Sequence, residues 1–101
     1  MKTARFALLC TLADGVEETR VRVRAEHLAY VQAHAEEIVL GGPLLGDDGR
    51  PEMMLILLAS ETREAAEAFA ASEPYGRHGV FSEVRLRPWS QVIPAPTAPS
   101  P

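Results

Sequence analysis

The stretch from residue 53 to 59, MMLILLA, is apolar at every position and lies between the turn-forming Gly46-Asp47-Asp48-Gly49-Arg50-Pro51 and the polar Ser60. A run this short is too brief for a stable helix of its own, and an amphipathic helix or a half-buried strand would interrupt it with polar residues. The reading that remains is a strand buried on both faces, at the centre of a sheet. Such a strand needs cover above and below. A chain of 101 residues can bury only one modest core, so cover on the second face has to come from outside that core.

The rest of the chain supplies partners for this strand. Residues 4–12, ARFALLCTL, read as a first strand that stops at Asp14-Gly15. From Glu17 to Glu37 there is neither glycine nor proline, and Val21, Ala25, Leu28, Val31 or Gln32, and Ala35 fall near one face at helical spacing. This predicts a long first helix, with Asp14, Glu17 and Glu18 suited to its positive N-terminal end. Ile38, Val39 and Leu40 form a short strand that runs into Gly41-Gly42-Pro43, where proline marks an edge or a bulge. Ser60 or Thr62 can cap a second helix with the body AAEAFAA, which ends before Pro74. Residues 82–90 alternate Val84, Leu86 and Pro88 with Glu83, Arg85, Arg87 and Trp89, the period of a fourth strand.

Strand-helix-strand twice over predicts an α+β domain of the ferredoxin-like βαββαβ kind: a four-stranded antiparallel sheet with two helices on one face. The opposite face then exposes apolar side chains of strands one and three, and a second copy packed sheet to sheet is the simplest cover. The domain is assigned to residues 1–93, and the Pro-rich PAPTAPSP at 94–101 is expected to be a disordered tail.

Charge narrows the partners. A net charge of -4 works against binding a nucleic-acid backbone or an anionic membrane surface. Arg20, Arg22 and Arg24, and again Arg85 and Arg87, form local basic groups that suit a solvated face or a small-anion pocket. No segment is long and apolar enough to span a bilayer. The start, MKTARFALLCTLADG, carries the basic residues and apolar run of a secretory leader, but its removal would take away the first strand, so a cytoplasmic chain is expected. The one cysteine, Cys10, reads as a small buried hydrophobe.

His27 is the first candidate for chemistry, because imidazole is the side chain best suited to exchange protons near neutrality. Helical spacing places it in a stripe with Arg24, Val31 and His34, at the border of core and solvent. His27 and His34 are seven residues apart, about 10 Å along a helix, which is too far to pinch one metal ion; no metal is expected. Glu73, at the end of the second helix, is the second candidate, because a carboxylate there gains from a cationic neighbour. Gly42 and Pro43 can bring backbone close to a ligand, and Tyr75 can present a phenol. A histidine that only packs in the core and a carboxylate that is merely exposed are the alternatives for His27 and Glu73.

These scattered segments together, R24-A-E-H27-L, G41-G-P43, E73-P-Y75, G79-V-F81 and V84-R-L-R-P-W89, resemble the YCII-related family over about residues 4–93. The resemblance implies a ferredoxin-like dimer, of the dimeric α/β barrel kind, with a small pocket holding a histidine and an acid as a catalytic pair. His27 takes the histidine position. Glu73 takes the acidic position of the usual D-P-Y motif, one methylene longer than the aspartate found there. The family extends to a dehydrochlorinase, so the resemblance also implies a cofactor-free lyase or isomerase acting on a small anionic or phenolic molecule, with Arg24, Gly42, Pro43 and Tyr75 binding the substrate. The alternative is a non-catalytic dimer that binds a small molecule through the same residues.

Overall fold

The computed structural model describes residues 3–94. Its elements run β1 (Phe6–Leu12), α1 (Glu17–Ala33), a single 3-10 turn (Ala35–Glu37), β2 (Ile38–Leu45), β3 (Pro51–Leu58), α2 (Arg63–Ser72), α3 (Pro74–Arg77) and β4 (Phe81–Pro88). The four strands form one sheet in the order β2-β3-β1-β4, and every neighbouring pair is antiparallel. The all-apolar strand β3 therefore lies inside the sheet, between β2 and β1. Residues 95–101, most of the expected tail, lie outside the described residues.

Alternation along the strands sorts the sheet into two faces. Leu8, Cys10, Ile56 and Leu58 pack with Ala66 and Phe69 of α2 and with Tyr30 of α1, and this is the main core. Leu8, Leu58 and Phe69 are almost fully buried there, each contributing roughly 1.5–3 kcal/mol of hydrophobic stabilisation. On the opposite face Ala7 and Leu57 pack with Ala4, Val39 and Leu55 only, and no helix covers them.

Three details depart from the sequence expectation. First, β2 does not stop at the glycines: it continues through Gly41-Gly42-Pro43 to Leu45, with Pro43 opposite Met54. Proline is tolerated because β2 is an edge strand, half of whose amides have no ladder partner. Second, α1 is rotated about its axis. The side that meets the core carries Val23 and His27, with Tyr30 packed alongside, whereas Val21 is 74% and Leu28 46% exposed. Third, Pro74 does not merely end α2 but opens the one-turn helix α3, capped by Glu73. Thr62, not Ser60, caps α2, its hydroxyl accepting the Ala65 N–H at 3.1 Å. Among the described residues no helix is long and apolar enough to cross a membrane.

Candidate active site

The rotation of α1 carries His27 off the border and into the interior, where it is 8% exposed. There it meets the junction of α2 and α3. Ser72 closes α2, Pro74 locks the first turn of α3, and Glu73 between them has extended backbone angles. That geometry turns its side chain back over α3, where Oε1 accepts the Gly76 N–H at 3.2 Å. The other oxygen, Oε2, accepts from His27 Nδ1 at 2.5 Å. Glu73 is only 1% exposed, and a carboxylate so deeply buried is tolerable because both oxygens have donors. Glu73 thus stands at the C-terminal end of α2, where the sequence placed it, and is also the cap of the turn that follows, whose Gly76 amide it holds.

Tyr75, the second residue of α3, stacks on the imidazole with ring centroids 4.1 Å apart and planes 13° from parallel. It also meets Phe81 edge-to-face and packs against Val23 and Val80. A surface clamp ties α3 to α1. Arg77 Nη2 donates to Glu26 Oε2 at 2.6 Å, and His78 Nε2 donates to Glu26 Oε1 at 3.2 Å. The sandwich of His27 between Glu73 and Tyr75 is therefore held from both ends of a short, otherwise weak helix.

His27 and Tyr75 line one side of an open cavity of about 430 Å³. Arg20 and Arg24, one turn apart on α1, border it on the same helix; Pro43, Met53 and Met54 form the sheet side, and Val21 and Leu28 overhang it. The two apolar residues that sequence spacing assigned to the core face of α1 are thus part of a cavity wall. Burial pushes the Tyr75 phenol above its usual pKa; Arg24 and then Arg20 pull it back, and Glu73 adds to the rise. Among the described residues, His27 Nε2 makes no hydrogen bond, and neither Arg20 nor Arg24 makes an ion pair. The ring nitrogen without a partner among the described residues is therefore Nε2, in a cavity wall that also carries two arginines with no ion pair among those residues.

The structure brings His27, Glu73, Tyr75, Arg24 and Pro43 together. It does not bring Gly42 with them: Gly42 pairs with Leu55 on the face away from the helices, and a methyl group there would meet nothing within 4 Å. Its neighbour Gly41 makes the close approach, since a Cβ there would stand 3.2 Å from the Leu55 carbonyl oxygen and 3.4 Å from Ile56 Cγ1. Arg20 was visible in sequence only as one member of a basic cluster. Its spacing of four from Arg24 was the signal that both belong to one face.

The comparisons with known proteins agree with this architecture. Protein YciI of Escherichia coli is 31% identical over 89 residues, covering 80% of this chain and 90% of that protein. An uncharacterized protein of Haemophilus influenzae is 31% identical over 84 residues, 75% of this chain and 86% of its own length. Among solved structures, 5-chloro-2-hydroxyhydroquinone dehydrochlorinase (TftG) from Burkholderia phenoliruptrix, in complex with 2,5-dihydroxybenzoquinone, superposes with a TM-score of 0.75 at 24% identity. The match covers 84% of this chain and 92% of TftG, and it establishes a common fold. Residues 4–90 match the family model of the YCII-related domain, and the chain belongs to the YCII-related family.

Proposed function

We propose that the chain is a cofactor-free acid–base enzyme, lyase- or isomerase-like, acting on a small anionic or phenolic molecule. The observation that carries this reading is the buried His27–Glu73 contact with Tyr75 stacked on the ring, at the wall of an open cavity edged by Arg20 and Arg24, which make no ion pair among the described residues. Glu73 accepts from Nδ1, which fixes the tautomer, orients the ring and offsets the positive charge that forms when Nε2 takes a proton. In an elimination, Nε2 removes a proton from the substrate and the released electron pair forms the new double bond. The leaving group departs as an anion beside Arg24, and the imidazolium returns its proton to water. In an isomerisation the same proton goes back to a different substrate atom. Tyr75 and the apolar wall of Met53, Met54 and Pro43 hold a flat ring against the imidazole. The fold shared with a dehydrochlorinase that binds a quinone supports this class of substrate. The domain proposed to act is residues 1–93, as a homodimer formed through the uncovered sheet face.

The test is turnover of chlorinated hydroquinones, followed as chloride release and quinone absorbance. His27→Ala is expected to lower kcat by 10²–10⁴-fold, the range of a general acid–base group. Glu73→Gln, which keeps the shape but not the charge, is expected to lower it by about tenfold or more with little change in KM. Full activity of His27→Ala would overturn the reading, and saturable binding without turnover by the wild-type chain would leave a ligand-binding module in its place.

A further inference from the structure

A second cavity, of about 530 Å³, opens beside the first. The two share Leu12, Arg20 and Pro51 in their walls, so they form one groove with Arg20 at the junction. The second cavity adds Arg50, from the turn before β3, and one carboxylate, Glu17. Arg50 makes no ion pair among the described residues; its backbone is engaged, the N–H donating to Asp48 Oδ1 at 2.9 Å and the carbonyl accepting from Gly46 N–H at 2.8 Å. Along the groove, the imidazole and phenol line the first cavity, Arg20 stands at the junction, and Arg50 lines the second. Arg20 precedes His27 by seven residues on α1, which separates them by about 10 Å at the helical rise per residue.

We infer that the groove takes a two-ended molecule: a phenolic or enolic ring against His27 and Tyr75 and, further along the groove, a carboxylate between Arg20 and Arg50. The inference rests on the acid–base reading of the site and adds the substrate's second end. Two arginines against one glutamate leave the far cavity with a net single positive charge, which matches a carboxylate and disfavours the heavier charge of a diphosphate. The planar guanidinium fork suits a carboxylate for its geometry as well as its charge.

The experiment compares binding of 3-(4-hydroxyphenyl)propanoate with that of 4-ethylphenol, which lacks the carboxylate, by titration calorimetry on the full chain. The acid is expected to bind about tenfold more tightly at low salt, the worth of one charge-assisted hydrogen-bond pair. Because both guanidinium groups are partly solvated, that preference should shrink as salt is raised. Arg50→Gln is expected to bring the ratio close to one while leaving 4-ethylphenol binding unchanged. Arg50 is exposed and its side chain makes no ion pair among the described residues, so this variant should fold; the Arg20 side chain also borders the phenol cavity, so Arg20→Gln is read by the acid-to-phenol ratio alone. Equal affinities in the wild type, or a preference that survives both variants, overturns the two-ended groove and leaves the acid–base reading standing. If neither compound binds, the acid–base reading for phenolic substrates falls, and the two-ended groove falls with it.

Discussion

Glu73 couples a structural requirement to the orientation of the His27 ring. Its carboxylate is buried, and burying it without partners would cost several kcal/mol. The Gly76 amide and the His27 imidazole remove most of that cost, so the interaction that allows the turn to form also aligns the ring. The same carboxylate reaches Cys10. Burial pushes the Cys10 thiol up to about 12, with Glu73 the smaller contributor. The native state therefore keeps the thiol proton at pH values where an unfolded chain has lost it. This stability is complete below the ordinary thiol range and declines as the pH rises toward about 12, with a slope of at most about 1.4 kcal/mol per pH unit. Cys10→Ala should show a flatter stability profile than the wild type over that window in urea titrations; parallel profiles would assign the alkaline loss to other groups. At this scale the sequence was legible in kind. His27, Glu73 and Tyr75 could be singled out through motifs, but their contact spans 46 residues of chain and exists only once α1 and α3 pack.

The elements were more legible than the faces they present. Strand β3 was readable because continuous apolarity admits few alternatives, and β2 as an edge because of Pro43. The orientation of α1 was not, because the helix alternates Val21, Val23 and three arginines without a dominant apolar stripe. Two weak stripes compete on such a helix, and tertiary packing decides between them. The winning stripe contains a histidine and loses an apparent core valine, because the site needs His27 inside and the cavity needs Val21 outside. Truncation distinguishes the two stripes. Val23→Ala should cost roughly 2 kcal/mol through a cavity beside Tyr75 and Val80, while Val21→Ala, at an exposed position, should stay within about 0.5 kcal/mol of the wild type. Comparable losses at both sites in chemical denaturation would refute the rotated face. The one-turn helix α3 had no periodic signal to read, as four residues are too few to show one; only Pro74, a residue suited to a first helical turn, marked it.

For the whole molecule, the sheet has two apolar faces and the chain has helices for one. On the face without helices, Leu9 stands opposite Leu55, both half-buried, beside the opposed and buried Ala7 and Leu57, while Leu40 and Leu44 extend the patch onto the edge strand and are 57% and 45% exposed. Arg85 and Arg87 pair with Leu9 and Ala7 from the other edge, so the apolar centre has a charged margin along β4. Pairing with a second copy is the proposed cover, because a twofold axis would match apolar centre to apolar centre and close the assembly. The expectation of a second copy came from the all-apolar β3, which the helices cover on one face. The proposed dimer is expected to give twice the chain mass by light scattering at micromolar concentration. Replacing Leu40 and Leu44 together by lysine should reduce it to the chain mass. Both side chains are about half-exposed within one copy, so the variant should fold, with an unchanged far-ultraviolet circular dichroism spectrum. A wild type that runs at the chain mass would refute sheet-to-sheet pairing, and a variant that remains at twice the mass would move the interface to another face. A monomeric variant also separates assembly from chemistry. His27, Glu73, Tyr75 and the groove arginines all come from one copy, so binding of a phenolic ligand should survive the loss of the dimer.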